Sequence, residues 1–250
     1  MHNRRDIGIV FDGSFDGFLN IIYGFYYDKI VPADIVTENF QPKLGVKYDF
    51  LYTDYDKALK VSNGIKKKIS ADAFNHLYSA FFNKDDERYM HLFNYIVAGF
   101  KTGWRIDSHS HWEFVLKTHK YSMNTLNEAH FFKEFIRFKN TKSNILYSRI
   151  EPENNILTFV ADHFASRLID EKWIIHDACR NLAIIYDASE WVLYEVPQDA
   201  VFETDSGEED YQELWIAFFN AIAIEERISK KRQRNMLPIR YRKNIVEFKR

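Results

Sequence analysis

The period of the hydrophobic pattern changes near residue 140, and this change limits the folds that the chain can adopt. Before it, apolar residues such as Ala129, Phe132 and Ile136 recur at the spacing of one helix face. After it, short runs rich in β-branched and aromatic residues are typical of strands and occur at residues 144–150, 172–176, 182–186 and 191–196. The pattern predicts an α+β fold: a helix-rich N-terminal half, a mostly antiparallel sheet in the C-terminal half, and terminal helices that close it.

The length of 250 residues suits one large domain, and it allows roughly 70–75% of the unfolded surface to be buried. We therefore predict a single α+β domain over residues 1–250, with a helical part at 1–140, a sheet part at 141–200 and terminal helices at 201–250. The one cysteine, Cys179, forms no intrachain disulfide, which fits a reducing compartment. With this cysteine usage we expect a cytoplasmic location. Because no run of ~18 uncharged apolar residues occurs, we predict no transmembrane helix and no membrane partner.

Short local signals predict several element boundaries in the N-terminal half. Residues 7–11 are expected to form a buried strand. Residues 16–28 are expected to form a helix that is apolar nearly all round, with Ser14 as a candidate cap. The prolines that bracket residues 32–42 predict a loop there. Thr53, with an acid three residues later, resembles a capping box and predicts the start of another helix.

The last 24 residues are strongly basic. Residues 227–250 hold ten Lys or Arg and one acid, a net charge of +9, while the whole chain carries −2. Each Lys or Arg that contacts a phosphate releases condensed counterions, so this segment indicates a polyanionic partner, in the first place DNA. The residues predicted to bind nucleic acid are Arg227, Lys230, Lys231, Arg232, Arg234, Arg240, Arg242 and Lys243. A solvated helical face near a terminus explains the same charges without a ligand.

Familiar nucleotide and metal motifs are missing from the sequence. It contains no Gly-rich phosphate loop, Walker sequence, CxxC or HExxH. His109, His111, His119 and His130 look like a metal cluster, but residues two apart on a helix do not share a face. We therefore predict neither a metal site nor a cofactor.

A second polar set surrounds the predicted sheet. His163 lies on the helix after its first strand, and His176 and Asp177 end the next strand. Because a histidine beside a carboxylate can act as a general base, His163, His176 and Asp177 are the predicted catalytic residues. The residues predicted to line a polar pocket with them are Glu151, Asp162, Arg167 and Arg180. Adjacent strand residues point to opposite faces, so hydrogen bonds that tie strand ends to helices are the structural alternative.

Several spaced motifs resemble one bacterial family. They are residues 11–18 (FDGSFDGF), 128–130 (EAH), 137–138, 150–152 (IEP), 161–164 (ADHF), 167, 176–177, 180, 186–187, 227, 233 and 238–241 (PIRY). In this order they cover nearly the whole chain. The family that they resemble has no established function, and its members are described as DNA metabolism or repair proteins.

The resemblance implies a partner. Members similar to this chain are typically encoded beside a radical S-adenosylmethionine protein, and some relatives are fused to a uracil-DNA-glycosylase-like domain. The 250 residues leave no room for that fusion, and one cysteine cannot hold an iron–sulfur cluster. The resemblance therefore makes this chain the partner of the radical enzyme, and it implies no catalytic residues.

The residues and the resemblance together favour a DNA metabolism or repair accessory protein that binds nucleic acid, a radical S-adenosylmethionine protein or both. The alternative is an enzyme of nuclease, glycosylase or phosphodiesterase type that uses the His/Asp pocket. The second alternative is a protein-binding scaffold without nucleic-acid contact. The sequence leaves open whether the chain catalyses a reaction.

Overall fold

The chain divides into two compact units, Met1–Thr125 and Leu126–Arg250. The computed structural model describes residues 7–38, 40–197 and 241. Within these residues, each unit contains its own cluster of buried hydrophobic side chains. The organisation as a single domain stays a prediction.

A three-stranded parallel sheet forms part of the first unit. Its central strand, β1 (Ile7–Phe11), pairs in parallel with β2 (Pro32–Thr37) on one side and with β3 (Lys47–Phe50) on the other. β1 is the predicted buried strand, and four of its five residues are buried. The loop predicted between the two prolines is wrong over residues 32–37, because Pro32 occupies the first position of an edge strand, where its missing N–H costs little.

Helices make up most of the rest of the first unit. They are α1 (Phe15–Tyr23), α2 (Tyr55–Lys68), α3 (Ala71–Phe81), α4 (Arg88–Thr102) and the first part of α5 (Glu113–Phe135). A π-helical turn (Gly24–Asp28) continues α1, and a 3₁₀ helix (Gly103–Ser108) follows α4.

Side-chain caps fix where three of these helices begin. The hydroxyl groups of Ser14 and Ser70 each accept a hydrogen bond at 2.9 Å from the N–H three residues later, and Ser14 is the predicted cap of α1. The predicted cap of α2 is wrong by one residue, because Asp54 caps this helix. Thr53 instead donates a hydrogen bond to the Asp12 carboxylate at 2.7 Å.

Aromatic rings fill the centre of the first core. Phe11 of β1, Phe18 of α1 and Tyr89 of α4 are buried, and their ring centroids lie between 5.1 and 6.4 Å apart. The core surrounds α1 over residues 17–22, whereas Tyr23 at the end of the helix is half-buried and Tyr27 of the π-helical turn is exposed.

The second unit is built on a mixed sheet. Its strands lie in the order β4 (Lys139–Asn140), β5 (Leu146–Ile150), β6 (Trp173–Asp177), β7 (Leu182–Tyr186) and β8 (Trp191–Glu195), and α6 (Leu157–Arg167) connects β5 to β6. Of the described pairs, β5–β6 is parallel and the others are antiparallel. Together with the helix-rich first half, this confirms the α+β fold and the mostly antiparallel second sheet.

Trp173 lies in the core of the second unit. It is fully buried, and its ring stacks on Tyr186 of the neighbouring strand at a centroid distance of 5.2 Å. Phe164 of α6 packs against the same tryptophan. The terminal helices predicted for residues 201–250 fall outside the described residues, apart from Tyr241. Over the part of the chain that the structure describes, no helix is long and apolar enough to cross a membrane.

Candidate functional site

Arg180 and Asp177, two of the predicted site residues, form an ion pair at the end of β6, in which the Arg180 side chain is partly exposed. The Asp177 carboxylate is fully buried and accepts hydrogen bonds from Arg180 Nη1 at 2.8 Å and from the Cys179 N–H at 2.9 Å. Burial raises the pKa of Asp177, and the charge of Arg180 opposes that rise. Arg180 also donates to the carbonyl groups of Pro152 and Glu153. The pair therefore ties the end of the strand to the chain that leads into α6.

The other residues of the predicted polar pocket have separate partners. Glu151 pairs with Arg149 at 3.1 Å, and Asp162 accepts a hydrogen bond from Trp191 Nε1 at 2.8 Å. Arg167 is exposed in the last turn of α6. The cavity beside Glu151 has a volume of about 20 Å³, which is room for about one water molecule.

The two predicted catalytic histidines lie on different elements and have different neighbours. His176 is largely buried, and its Nδ1 lies 2.9 Å from the Tyr147 hydroxyl across the β5–β6 pair. Burial lowers the pKa of His176, and Arg149 lowers it further. His163, on α6, has its pKa lowered by burial and by the charges of Lys133 and Arg167. Both imidazoles therefore favour the neutral form, and their catalytic role, with Asp177, stays a prediction.

The basic residues at 227–243 that are predicted to bind nucleic acid lie outside the described residues. Tyr241, which stands among them in the sequence, is buried, and its hydroxyl donates a hydrogen bond to Glu128 Oε1 at 2.6 Å. Glu128 also accepts hydrogen bonds from the Glu153 N–H, the Asn154 N–H and Asn154 Nδ2 at 2.6–2.8 Å. One buried carboxylate thus joins α5, the turn before α6 and Tyr241.

The four histidines that look like a metal cluster in the sequence separate in the structure. His109 and His111 pack against the same tryptophan ring. His130 lies beside Glu134, one turn further along α5. His119 instead lies beside Asp107, with 2.7 Å between His119 Nε2 and Asp107 Oδ1.

A cleft of about 720 Å³ opens in the first unit, where α1 and its π-helical turn face α2. Its aromatic and polar lining consists of Tyr23, Tyr26, Tyr27, Lys60, Asn63, Lys67, Lys68 and Phe100. We call it the tyrosine–lysine cleft. The sequence prediction missed it, because residues 16–28 look like a core helix that is apolar all round. The usable signal was the spacing of the lysines along α2.

The local fold explains how the two walls of this cleft arise. Tyr23 and Tyr27 stack at a centroid distance of 4.3 Å, and the π-helical turn carries the second of them. Such turns in helices occur frequently at functional sites. On α2, Lys60, Lys67 and Lys68 follow the spacing of one helix face, whereas Ala58 and Ile65 are buried on another.

The tyrosine–lysine cleft is electropositive. Among the described residues that line it there are three lysines and no acid. Tyr27 and the three lysines are exposed. Burial raises the pKa of Tyr26, so that its hydroxyl stays protonated and adds no negative charge. The arrangement suits a ligand that combines a flat ring with an anionic group.

Comparison with known proteins identifies one family. Residues 86–247 match the family DUF4130, a domain of unknown function. No curated protein and no solved structure matches the chain. The matched region contains the motifs from residue 128 to residue 241, whereas the tyrosine–lysine cleft, apart from Phe100, lies before it.

Proposed function

Because the chain belongs to the DUF4130 family, whose function is not known, we propose from its own geometry that the protein binds single-stranded nucleic acid in the tyrosine–lysine cleft. The observation that carries the proposal is the combination, in one cleft, of tyrosine rings and lysine ammonium groups with no acid among the described lining residues. Bases stack on aromatic side chains and phosphates attract ammonium groups, so both parts of a nucleotide have a partner.

The tyrosine wall favours an unpaired base. Tyr27 is 67% exposed, so the outer face of its ring is accessible to a ligand, while its inner face stacks on Tyr23. A base inside a duplex has both faces covered by its neighbours, whereas a base in a single strand has faces free for stacking. The cleft volume of about 720 Å³ lies within the range of ligand pockets.

The lysine wall supplies the charge for the backbone. Lys60, Lys67 and Lys68 line the cleft opposite the aromatic wall. The last two also lie in the final turn of α2, where positive charge stabilises the helix terminus. Stabilisation of the helix terminus explains why lysines occur at the end of α2. It does not explain why tyrosine rings line the same cleft.

Binding is favoured over the enzyme alternative by the state of the predicted catalytic set. A nuclease or glycosylase that uses His163, His176 and Asp177 needs an accessible polar pocket. Asp177 is instead fully buried in an ion pair with Arg180, and the cavity beside Glu151 is water-sized.

We also propose that the basic segment at residues 227–250 adds phosphate contacts to those of the cleft, in an accessory role in DNA metabolism. The radical S-adenosylmethionine partner that the resemblance implies stays a prediction, which co-purification from cells expressing both proteins tests.

The lysines are tested by fluorescence anisotropy with a labelled oligothymidine over a range of salt concentrations. Each phosphate contact on a single strand contributes about 0.7 to the slope of log affinity against log salt. The triple substitution Lys60→Ala, Lys67→Ala, Lys68→Ala is therefore expected to reduce the magnitude of this slope by about 2.

A second triple variant controls for net charge. Lys47, Lys120 and Lys172 are exposed, and none of them lines the cleft. Their replacement by alanine removes the same three charges and is expected to change the slope by less than about 1. Equal slopes for the two variants would contradict a specific role of the cleft.

The tyrosine wall is tested separately. Tyr27→Ala is expected to weaken binding by about 1–3 kcal/mol, the contribution of one stacked base, whereas Tyr27→Phe keeps the ring and should bind nearly as well as the wild type. Tyr52, which is 89% exposed and does not line the cleft, serves as the matched control for loss of a surface tyrosine. If Tyr52→Ala weakened binding as much, stacking in the cleft would be refuted.

A further inference from the structure

Three side chains with metal-binding chemistry meet in the first unit, apart from the tyrosine–lysine cleft. His76 comes from α3, Asp107 from the 3₁₀ helix and His119 from α5. One potential ligand atom from each lies within 4.8 Å of the other two. We call this group the His–Asp–His cluster.

We propose that the His–Asp–His cluster binds a divalent transition-metal ion, with Zn²⁺ as the best match. Two imidazoles and one carboxylate are the ligand set of several catalytic zinc sites, which leave a further position open to water or substrate. Imidazole favours Zn²⁺ and its neighbours in the transition series over Mg²⁺ and Ca²⁺, which prefer oxygen ligands alone.

The position of the His76 side chain supports a metal ion in the His–Asp–His cluster. His76 Nδ1 is buried, and it lies 3.5 Å from Asp107 Oδ1, which is too long for a good hydrogen bond. It has no closer hydrogen-bond partner in the described part of the chain. The His76 and His119 rings are 4.6 Å apart between centroids, so both imidazoles crowd around one carboxylate. A metal ion between them satisfies the buried nitrogen and links the three side chains.

The Asp107 carboxylate has the support that metal ligands usually receive. The Tyr95 hydroxyl, on a fully buried side chain, donates a hydrogen bond to Asp107 Oδ1 at 2.6 Å. Such outer contacts orient a ligand. Burial alone would raise the pKa of Asp107, but the nearby His76 imidazole and the hydrogen bonds with Tyr95 and His119 outweigh it and hold the pKa well below its usual range. Asp107 is therefore an anionic ligand at neutral pH.

Metal binding requires only a small rearrangement of the cluster. Ligand atoms about 2.0–2.1 Å from a tetrahedral zinc ion lie roughly 3.3 Å from one another. The contact of 2.7 Å between His119 Nε2 and Asp107 Oδ1 must open slightly, and the metal takes the place of the shared proton. In a neutral imidazole this proton moves to Nδ1 of the same ring, so that Nε2 offers its lone pair to the metal. The three side chains are 26–37% exposed, so an ion reaches them from solvent.

The test is a titration of the full-length, EDTA-treated protein with Co²⁺, followed by visible absorption, and then displacement by Zn²⁺. We expect one Co²⁺ per chain with the intense visible bands of a low-coordinate site. No stoichiometric binding at metal concentrations well above that of the protein would overturn the proposal.

Variants locate the ion. His76→Gln and His119→Gln are each expected to weaken binding beyond the roughly 10–100-fold loss that is typical of an outer contact, and Tyr95→Phe is expected to fall within that range. His111→Gln removes an exposed histidine outside the cluster and should leave the affinity unchanged. Loss of the cobalt bands in this control, or their retention in both cluster variants, would place the ion elsewhere. Circular dichroism checks that the variants fold, and the wild-type titration decides if they do not.

Discussion

Replacing Glu128 by glutamine is expected to destabilise the second unit by about 3 kcal/mol, although the two side chains have nearly the same shape. The Glu128 carboxylate is buried and accepts four hydrogen bonds. Oε2 accepts both of its hydrogen bonds from Asn154, and Oε1 accepts from the Glu153 N–H and the Tyr241 hydroxyl. Each oxygen therefore serves two donors.

The magnitude follows from what a glutamine amide can still satisfy. Its oxygen is expected to face Asn154, whose two N–H donors cannot reverse their role, while the Tyr241 hydroxyl rotates and accepts from the new NH₂ group. The Glu153 N–H is then left without an acceptor, at a cost of about 2 kcal/mol. The two bonds kept by Asn154 lose their charge assistance, at about 1 kcal/mol each. Relief from burying a charge offsets part of this total, which leaves about 3 kcal/mol.

Urea denaturation followed by circular dichroism and tryptophan fluorescence measures the effect. A loss of about 3 kcal/mol corresponds to a fall in the urea midpoint of about 1 M or more. Glu134→Gln, at a half-exposed position on the same helix, is the matched control and should shift the midpoint very little. A Glu128→Gln midpoint within about 0.2 M of the wild type would refute the reasoning, because four satisfied hydrogen bonds could not then depend on the carboxylate.

Three further outcomes are expected. Replacing Arg232 and Arg234 by alanine should weaken oligonucleotide binding in anisotropy titrations and change Tm very little. The sequence predicts an exposed terminal helix here, and charges on such a helix contribute about 0–1 kcal/mol to stability, so a large fall in Tm would show a structural role. Gly17→Ala should lower Tm, because its Cβ would lie 2.3 Å from a carboxylate oxygen. Gly64→Ala should instead stabilise the helix by about 0.5–1 kcal/mol, because outside the backbone of its own helix the nearest heavy atom would lie 3.6 Å from the new Cβ; Tm shifts of the same sign in the two variants would contradict the packing. The wild type should lose stability as the pH falls below about 6.5, because the pKa of His176 is lowered in the folded chain and the unfolded chain takes up a proton that the folded chain does not. His176→Asn should make this loss of stability smaller. Urea midpoints at about pH 7.5 and 5.5 measure the loss, and identical pH dependence in both proteins would refute the reasoning.

The elements with a strong hydrophobic period were predictable from the sequence. β1 and the strands β6, β7 and β8 lie close to their predicted positions, because each is a short apolar or aromatic run between clear turn signals. β2 was not predictable, because a proline normally signals a loop and is tolerated in this strand only because the strand lies on the edge of the sheet. The cap of α2 shows a finer limit, since Thr53 and Asp54 are equally good caps until Asp12 takes the threonine hydroxyl.

The candidate sites were less predictable, because each depends on tertiary packing. His76, Asp107 and His119 come from three elements, and no motif in the sequence links them. The tyrosine wall depends on where the core stops covering α1 and its π-helical turn, and this is decided only when other helices pack against them. Sequence reasoning found polar residues at strand ends correctly, but it could not tell that Arg180 donates to backbone carbonyl groups and to Asp177.

The parallel sheet of the first unit also has a consequence for biosynthesis. All three of its strands lie between residues 7 and 50, so their hydrogen-bonded ladder has every partner before the ribosome reaches the helices from α2 onward. α4, which contacts β2 and α1, ends at Thr102. At about 5–20 residues per second, the ribosome needs roughly 3 to 10 s to add the intervening residues. During that interval the nascent sheet carries apolar surface with no helix α4 to cover it, which makes this the stage at which a chaperone that recognises apolar segments has its best access.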